Sequence, residues 1–269
     1  MKSGPILAAT DLTARSDRAV DRAFLLGEQF SRPVCVVHVI ESDGEGDAAE
    51  VEEKVRETMP QGSGETRVFI PAGEAPQQIA RVAEECDAAI ICVGPARFNS
   101  LCDFFLGTAV DYIAREAECP LLVVKQRPRE PYDSVIFATD FSDNSRRALE
   151  KAASLFPDAR FHLLHAFHVP YAAWNRAEYV GEELQLQEQS AMDDFIASLG
   201  EVAGLRGRVD GRVARGNLFQ GIYEAAEEFG AKLVAFGTHG ASGFRHATIG
   251  SVANELLTNL TLDSLIIRP

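Results

Sequence analysis

Lys232-Leu233-Val234-Ala235-Phe236-Gly237-Thr238-His239-Gly240 is followed, after nine residues, by Gly250-Ser251-Val252. The apolar run before Gly237 reads as a buried parallel strand. Val252-Ala253-Asn254-Glu255-Leu256-Leu257 reads as the start of a helix. Glycines at a strand end let the backbone approach a ligand closely and adopt positive φ. A Gly-Ser pair opening a helix offers N–H groups and a hydroxyl to an anion. Strand, glycine loop and helix start together describe a phosphate cradle at the carboxyl edge of a sheet. A plain turn before a Ser-capped helix fits the same residues. The surrounding layout, which occurs twice, favours the cradle.

The repeat is explicit. Ile6-Leu7-Ala8-Ala9-Thr10-Asp11-Leu12-Thr13 matches Val135-Ile136-Phe137-Ala138-Thr139-Asp140-Phe141-Ser142. A helical pattern follows each, with Ala19 and Ala148 in matching places. Val34 to Ile40 then matches Phe161 to Phe167, and His38 matches His165. Pro71 to Ile79 matches Ala214 to Ile222, and the strands Ala88 to Val93 and Lys232 to Phe236 come next. Each half closes on a short strand, Pro120 to Lys125 and Asp263 to Arg268. Strands alternating with helices imply a parallel sheet. The prediction is an α/β protein of two tandem Rossmann-like domains, residues 1–129 and 130–269. Each has a five-stranded, mostly parallel sheet with helices on both faces. The seam, Lys125-Gln126-Arg127-Pro128-Arg129-Glu130-Pro131, has two prolines and four charges, which suits an exposed linker. The halves differ between their second and third strands. Glu41 to Glu57 reads as an acidic loop plus a short helix, and Glu182 to Leu199 as a longer amphipathic helix.

The 269 residues are enough for two cores, and the net charge of −14 argues against nucleic acid or an anionic membrane as partner. A small anion is still acceptable, because a local cradle of N–H groups does not need a basic protein. No apolar run reaches the ~18 residues of a membrane span. The N-terminus does not read as a signal peptide. The five cysteines, Cys35, Cys86, Cys92, Cys102 and Cys119, are odd in number and form no Cys-x-x-Cys. That favours reduced thiols and a cytoplasmic location.

On these residues the chain resembles a tandem universal stress protein. The family pattern Gly-x-x-Gly, nine residues, Gly-Ser/Thr is met by Gly237, Gly240, Gly250 and Ser251, and its early Asp by Asp140. The resemblance implies a Rossmann-like fold, a role in stress survival, and binding of ATP, ADP or AMP, with Mg²⁺ as an optional companion. It implies that Asp140 contacts the adenosine end and that Ala166 lines the adenine. Gly237, His239 and Gly240 would wrap ribose and phosphates, and Arg245 would neutralise phosphate charge. Gly250, Ser251 and Val252 would hold the phosphates. Single-domain relatives are expected to dimerise through their last strands. Here Leu121 to Lys125 and Ser264 to Arg268 would pair within one chain, as a pseudo-dimer about a pseudo-two-fold axis. Further homodimerisation and a protein partner are left open.

The first half departs from the pattern. Gly94-Pro95-Ala96-Arg97 stands where Gly-x-x-Gly is required, although Gly107-Thr108 keeps the spacing. Arg97 would be penalised at a positive φ and would fill the ligand's space. Asp103, aligned with His246, would repel phosphates. The expectation is one nucleotide per chain, in the second half. Arg97 as a phosphate ligand is the alternative. His162, His165 and His168 alternate across a strand, a poor geometry for one metal, and read as core and rim histidines. The acidic pairs read as solvated, and Tyr171 and Trp174 as a loop packing on a ligand, a partner or the domain itself. No nucleophile elbow or Lys-containing phosphate loop is present. The expected function is nucleotide-dependent signalling with at most slow ATP hydrolysis. The alternatives are a hydrolase or nucleotidyl-transferring enzyme using Asp140 for metal or base, and an interaction module with a vestigial site.

Overall fold

The computed structural model describes residues 4–40, 47–63, 65–95, 108–168, 177–200, 205–240 and 249–269. In chain order the first half contains β1 (Ile6–Ala9), α1 (Asp17–Phe30), β2 (Val34–Val37), α2 (Ala48–Glu57), β3 (Arg67–Phe69), α3 (Ala75–Glu85), β4 (Ile90–Val93), α4 (Thr108–Glu116) and β5 (Leu121–Val123). The second contains β6 (Ser134–Ala138), α5 (Asp143–Leu155), β7 (Arg160–Phe167), α6 (Ala177–Ser198), β8 (Val209–Arg215), α7 (Leu218–Phe229), β9 (Leu233–Gly237), α8 (Ser251–Asn259) and β10 (Asp263–Ile267). The α/β alternation expected from the sequence is the one observed. Contacts divide the chain into two compact units, Met1–Pro131 with Arg245–Arg268, and Tyr132–Phe244.

In the first unit the strands lie in the order β3-β2-β1-β4-β5-β10. β1 to β5 pair in parallel. Every residue of β1, β2 and β4 is buried, which is why they read as unbroken apolar runs rather than alternating ones. α1 covers the sheet with Ala19, Val20, Ala23 and Leu26, an i, i+3/i+4 stripe. In the second unit the order is β9-β6-β7-β8, all parallel. Its core is aromatic, with Phe137, Phe156 and Phe161 fully buried. α6 crosses β8 so closely that a Cβ on Gly211 would lie 2.5 Å from Met192 Sδ, which explains a glycine within that strand. No helix among the described residues is long and apolar enough to cross a membrane.

β10 pairs antiparallel with β5, as expected for the two closing strands. Leu122 faces Leu265, Leu121 faces Ile266 and Val123 faces Ser264. Because 265 − 122 is 143, the offset between the later parts of the repeats, the register is centred on equivalent residues. The basic residue after each strand reaches the end of the other repeat's last helix. Lys125 Nζ donates to the carbonyls of Leu257 and Leu260 at 2.7 and 2.8 Å. Arg268 Nη1 donates to the Arg115 carbonyl at 2.8 Å. Cations at helix C-termini satisfy orphan carbonyls and oppose the macrodipole.

Residues 127 and 129–131 of the seam are exposed, as its composition suggests, yet the segment is tied down at several points. Asp263, fully buried, accepts from the backbone N–H groups of Lys125 and Gln126 at 2.7 and 2.8 Å. Its other oxygen lies 3.8 Å from Nη2 of Arg22, itself 2% exposed. Arg22 Nη1 donates to the Glu130 carbonyl at 2.7 Å, and Arg18 Nη1 to that of Lys125 at 2.6 Å. The proline-flanked segment is thus strapped to α1 by its own carbonyls.

Two outcomes are expected. Asp263→Ala leaves the buried Arg22 guanidinium and two N–H groups without their carboxylate, so urea unfolding should show a loss of about 3–5 kcal/mol. A loss under ~1 kcal/mol would show that the cluster does not hold the seam. Burial pushes the Lys125 ammonium down to about 8, against the opposing pull of Asp263, while the unfolded chain titrates near 10.5. Between those values the unfolded chain binds the extra proton, so stability rises with pH through that window; below about 8 the penalty for burying the charge is present in full. Relative to Lys125→Met, the native chain should gain roughly 1–3 kcal/mol between pH 7.5 and 10.5. A flat difference across that range would contradict the burial of this charge.

Candidate functional site

In the second unit the chain leaves β6 to one side through β7 and returns on the other as β9, so the crevice between β6 and β9 is the topological switch point. Thr139-Asp140-Phe141-Ser142 turns the chain out of β6 there. Phe141 adopts φ 62°, a left-handed conformation uncommon for a bulky residue. Several bonds hold it. Phe141 N donates to Thr139 Oγ1 at 3.1 Å, and Ser145 Oγ donates to the same oxygen at 2.8 Å. Ser142 caps α5 by accepting from Ser145 N at 3.1 Å. The Phe141 ring packs against His165, centroids 4.4 Å apart, and Phe195, 5.7 Å.

Asp140 is exposed, and its Oδ1 accepts from Ser142 N at 3.1 Å and Ser142 Oγ at 2.6 Å. Those bonds fix the carboxylate at the mouth of the crevice. Its Oδ2 occupies the space that a Cβ on Gly240 would fill. Gly240 is not in the left-handed region, so no positive φ calls for glycine here; a Cβ would instead displace the Asp140 carboxylate. This corrects the conformational reason expected from the sequence. Asn144 Nδ2 donates to the Gly240 carbonyl at 3.4 Å and ties the glycine loop to the first turn of α5. His239 is half-buried, with Nδ1 3.0 Å from Oγ1 of the buried Thr238. Ala166 is half-buried near the end of β7, opposite Ala214 of β8. Asp140, Gly237, His239, Gly240 and Ala166 thus all belong to the carboxyl edge of one parallel sheet.

His165 stands behind this corner. Its Nδ1 donates to the Thr139 carbonyl at 2.9 Å, which fixes the tautomer, and Nε2 lies 3.6 Å from Glu188 Oε2. His162 bonds Asp210 at 2.8 Å and stacks on Phe229 at 3.7 Å. Both serve packing and positioning. No group of three His, Cys, Asp or Glu side chains suited to a metal occurs among the described residues. An open cavity of about 210 Å³ lies elsewhere, beside Arg212, Arg215, Asn217, Gln220 and Glu224.

Gly250, Ser251 and Val252 lie in the first unit. Gly250 is the N-cap of α8 at φ −56° and ψ 150°, with no side-chain cap. Ser251 is therefore the first helical residue and not the cap. The helical ladder starts at Asn254 N, which donates to the Gly250 carbonyl at 2.9 Å, so the N–H groups of residues 251–253 have no intrahelical acceptor. Ser251 is exposed, and Val252 is 55% exposed. Arg245 lies outside the described residues.

The first repeat builds the same corner. Thr13 donates N and Oγ1 to Asp11 Oδ1 at 3.1 and 2.6 Å, Leu12 has φ 57°, and His38 Nδ1 donates to the Thr10 carbonyl at 2.9 Å. Two differences follow. α5 starts at Asp143, directly after the corner, whereas Thr13 to Ser16 form a separate turn and α1 starts only at Asp17. That turn puts the Arg15 carbonyl where a Cβ on Gly94 would be 3.1 Å away. Further, α4 carries Asp111 in its first turn, paired with Arg115 at 3.5 Å, where α8 has Asn254 and no acid. Arg97, Cys102, Asp103, Gly107, Tyr171 and Trp174 lie outside the described residues, as does the side chain of Thr108.

Sequence reasoning missed Asn144, Ser145 and Thr238. The repeated Ala-Thr-Asp-x-Ser/Thr followed three residues later by Ser was the available signal for Ser145.

Comparison with known proteins agrees with the repeat. Residues 3–125 and 131–268 each match the Universal stress protein family. A universal stress protein of Mycolicibacterium smegmatis is 24% identical, aligning over 98% of this chain and 97% of its own length. A universal stress protein structure from Archaeoglobus fulgidus is similar with TM-score 0.65 at 20% identity, covering 100% of this chain and 99% of that one. A functionally unknown protein from Pseudomonas aeruginosa PAO1 has TM-score 0.67 at 18% identity, covering 100% and 94%. At those identities the structural likeness speaks for the fold alone. With a match in each half, the chain belongs to the universal stress protein family as a tandem of two such domains.

Proposed function

We propose that this chain is a nucleotide-responsive stress protein of the cytoplasm that binds one adenine nucleotide, ATP or its di- or monophosphate, through its second repeat. The observation that carries this reading is the Asp140–Gly240 corner, a carboxylate pinned at the switch-point crevice against a glycine that leaves it room. A carboxylate at such a place suits ribose hydroxyls, which donate to it. Ala166 offers a small apolar contact to the base, and Gly237 and His239 flank the sugar and phosphates. The uncapped start of α8 at Gly250, Ser251 and Val252 suits phosphate oxygens, with Arg245 supplying positive charge. Mg²⁺ accompanying the nucleotide would neutralise phosphate charge.

Signalling is favoured over turnover. Asp140 Oδ1 already accepts two bonds from Ser142, which makes it a poor base toward an attacking water. Occupancy would act as the conformational or assembly signal.

The first repeat is assigned no nucleotide. Asp111 already meets the N-terminal dipole of α4 and would repel phosphate, and the Arg15 turn closes on Gly94. Arg97 in the glycine position points the same way.

Isothermal titration of the intact chain with ATP should give a stoichiometry near one. Gly240→Val should push Asp140 off Ser142 and weaken binding by roughly tenfold or more with far-UV circular dichroism unchanged. Asp11→Ala should leave affinity intact. Two sites per chain, or binding lost with Asp11→Ala but kept with Gly240→Val, would reverse the assignment. Failure to bind any adenine nucleotide, with none in mass spectra of the denatured purified protein, would support the interaction-module alternative.

A further inference from the structure

Between their second and third strands the repeats differ most: α6 has 22 residues where α2 has 10. One side of α6 holds Gln185, Glu188, Met192 and Phe195 at helical spacing, and all four reach into the second unit. Gln185 Nε2 donates to the Val213 carbonyl at 3.4 Å, and Met192 is fully buried over Gly211. Glu188 approaches His165, and Phe195, buried, sets its ring against Phe141. The last turn of α6 is clasped from α5. It has no basic residue of its own, and Arg146 supplies the charge. Arg146 Nη1 donates to the Ser198 carbonyl at 3.1 Å and Nη2 to Ser198 Oγ, with the guanidinium 5.9 Å from the Phe195 ring. Arg146 N in turn donates to the Ser142 carbonyl at 2.9 Å. Two routes therefore join α6 to Asp140. Phe195 touches Phe141, the next residue in the chain. Ser198 connects through Arg146 to Ser142, which donates both bonds to Asp140 Oδ1. The first repeat lacks both coupling side chains. Counted from the matching Thr10 and Thr139, Leu12 stands for Phe141 and Asp17 for Arg146. Leu12 adopts the same left-handed backbone, so the turn itself does not need an aromatic ring.

We propose that α6 is the output element of the second repeat: docking of α6 on the corner and binding of the adenine nucleotide at Asp140, the reading on which this coupling rests, stabilise each other. Phe141, Arg146 and Phe195 are the positioning residues that carry it. A ribose hydroxyl held by Asp140 fixes the Asp140–Ser142 turn. That turn fixes the Phe141 ring and the first turn of α5, the two surfaces on which the C-terminal half of α6 rests. A nucleotide that prefers the ordered corner therefore favours docked α6, and by reciprocity docked α6 raises the affinity for the nucleotide.

The test is amide hydrogen exchange on the full native chain, read by mass spectrometry with and without saturating ATP, alongside calorimetric titration of the same sample. With ATP bound, the amides of residues 188–198 in α6 should exchange roughly fivefold or more slowly, a change larger than that in α7. A general gain in stability would slow both helices alike. In Phe141→Leu at saturating ATP, the extra protection of α6 should fall below about twofold. ATP binding that slows α6 no more than α7, or full protection kept in Phe141→Leu, would overturn the coupling and leave the nucleotide reading standing. Absence of ATP binding by the wild-type chain would overturn the nucleotide reading and the coupling with it. The wild-type comparison decides the matter even if the variant fails to fold.

Discussion

The antiparallel contact between β5 and β10 is the constraint from which the rest follows. A sheet that ended at β5 would leave an exposed row of N–H and C=O groups. β10 covers that edge with a register centred on the equivalent residues Leu122 and Leu265. The contact is made specific by charge rather than by apolar surface. Asp263 is buried in full and is satisfied by two backbone N–H groups and by Arg22. A buried carboxylate gains little net stability from such partners, but it costs heavily when misplaced, so it fixes register. Committing β10 to β5 is also why the compact units do not follow the repeat boundary: the last helix and strand of the second repeat cluster with the first.

Against that shared frame, the two strand-end corners can be compared bond for bond. Asp11 and Asp140 accept the same pair of bonds, and Leu12 and Phe141 share the same left-handed backbone. Such conformations cost of order 1–3 kcal/mol and persist only where neighbours over-determine them. Their presence in both copies shows that the corner is a structural solution first: it turns a parallel strand into a helix while exposing a carboxylate. What differs between copies is the helix that follows and the glycine loop opposite.

The layout was legible in the sequence because it rests on local signals. Buried strands were unbroken apolar runs, helices had periodic stripes, and the Ala-Thr-Asp repeat aligned the halves. Several site features were not legible, because they are contacts between residues far apart in the chain. Gly240 looked like a backbone requirement and is instead a space left for Asp140, a hundred residues earlier. Nothing in Arg22 or Asp263 marks them as buried, since charged residues at such positions usually face water. The tethering of the seam was hidden for the same reason: its prolines and charges mark an exposed segment, but the Lys125 and Glu130 carbonyls are taken by arginines of α1.

The helix α8 joins these threads. It carries no acidic residue in its first turn and no basic residue in its last, so neither end of its dipole is met from within. At its C-terminus the deficit is made good by Lys125, whose ammonium donates to Leu257 and Leu260. At its N-terminus the N-cap residue is Gly250, which has no side chain to offer the first N–H groups. The matching helix α4 is built the other way, with Asp111 at its start and Arg115 near its end. One helix carries a charge of the complementary sign near each end, and its counterpart carries neither in its first or last turn. The substitution of Asn254 for the acid found at Asp111 is therefore a physical distinction between the repeats that is independent of Arg97. It favours the same repeat for the anion that the glycine spacing does.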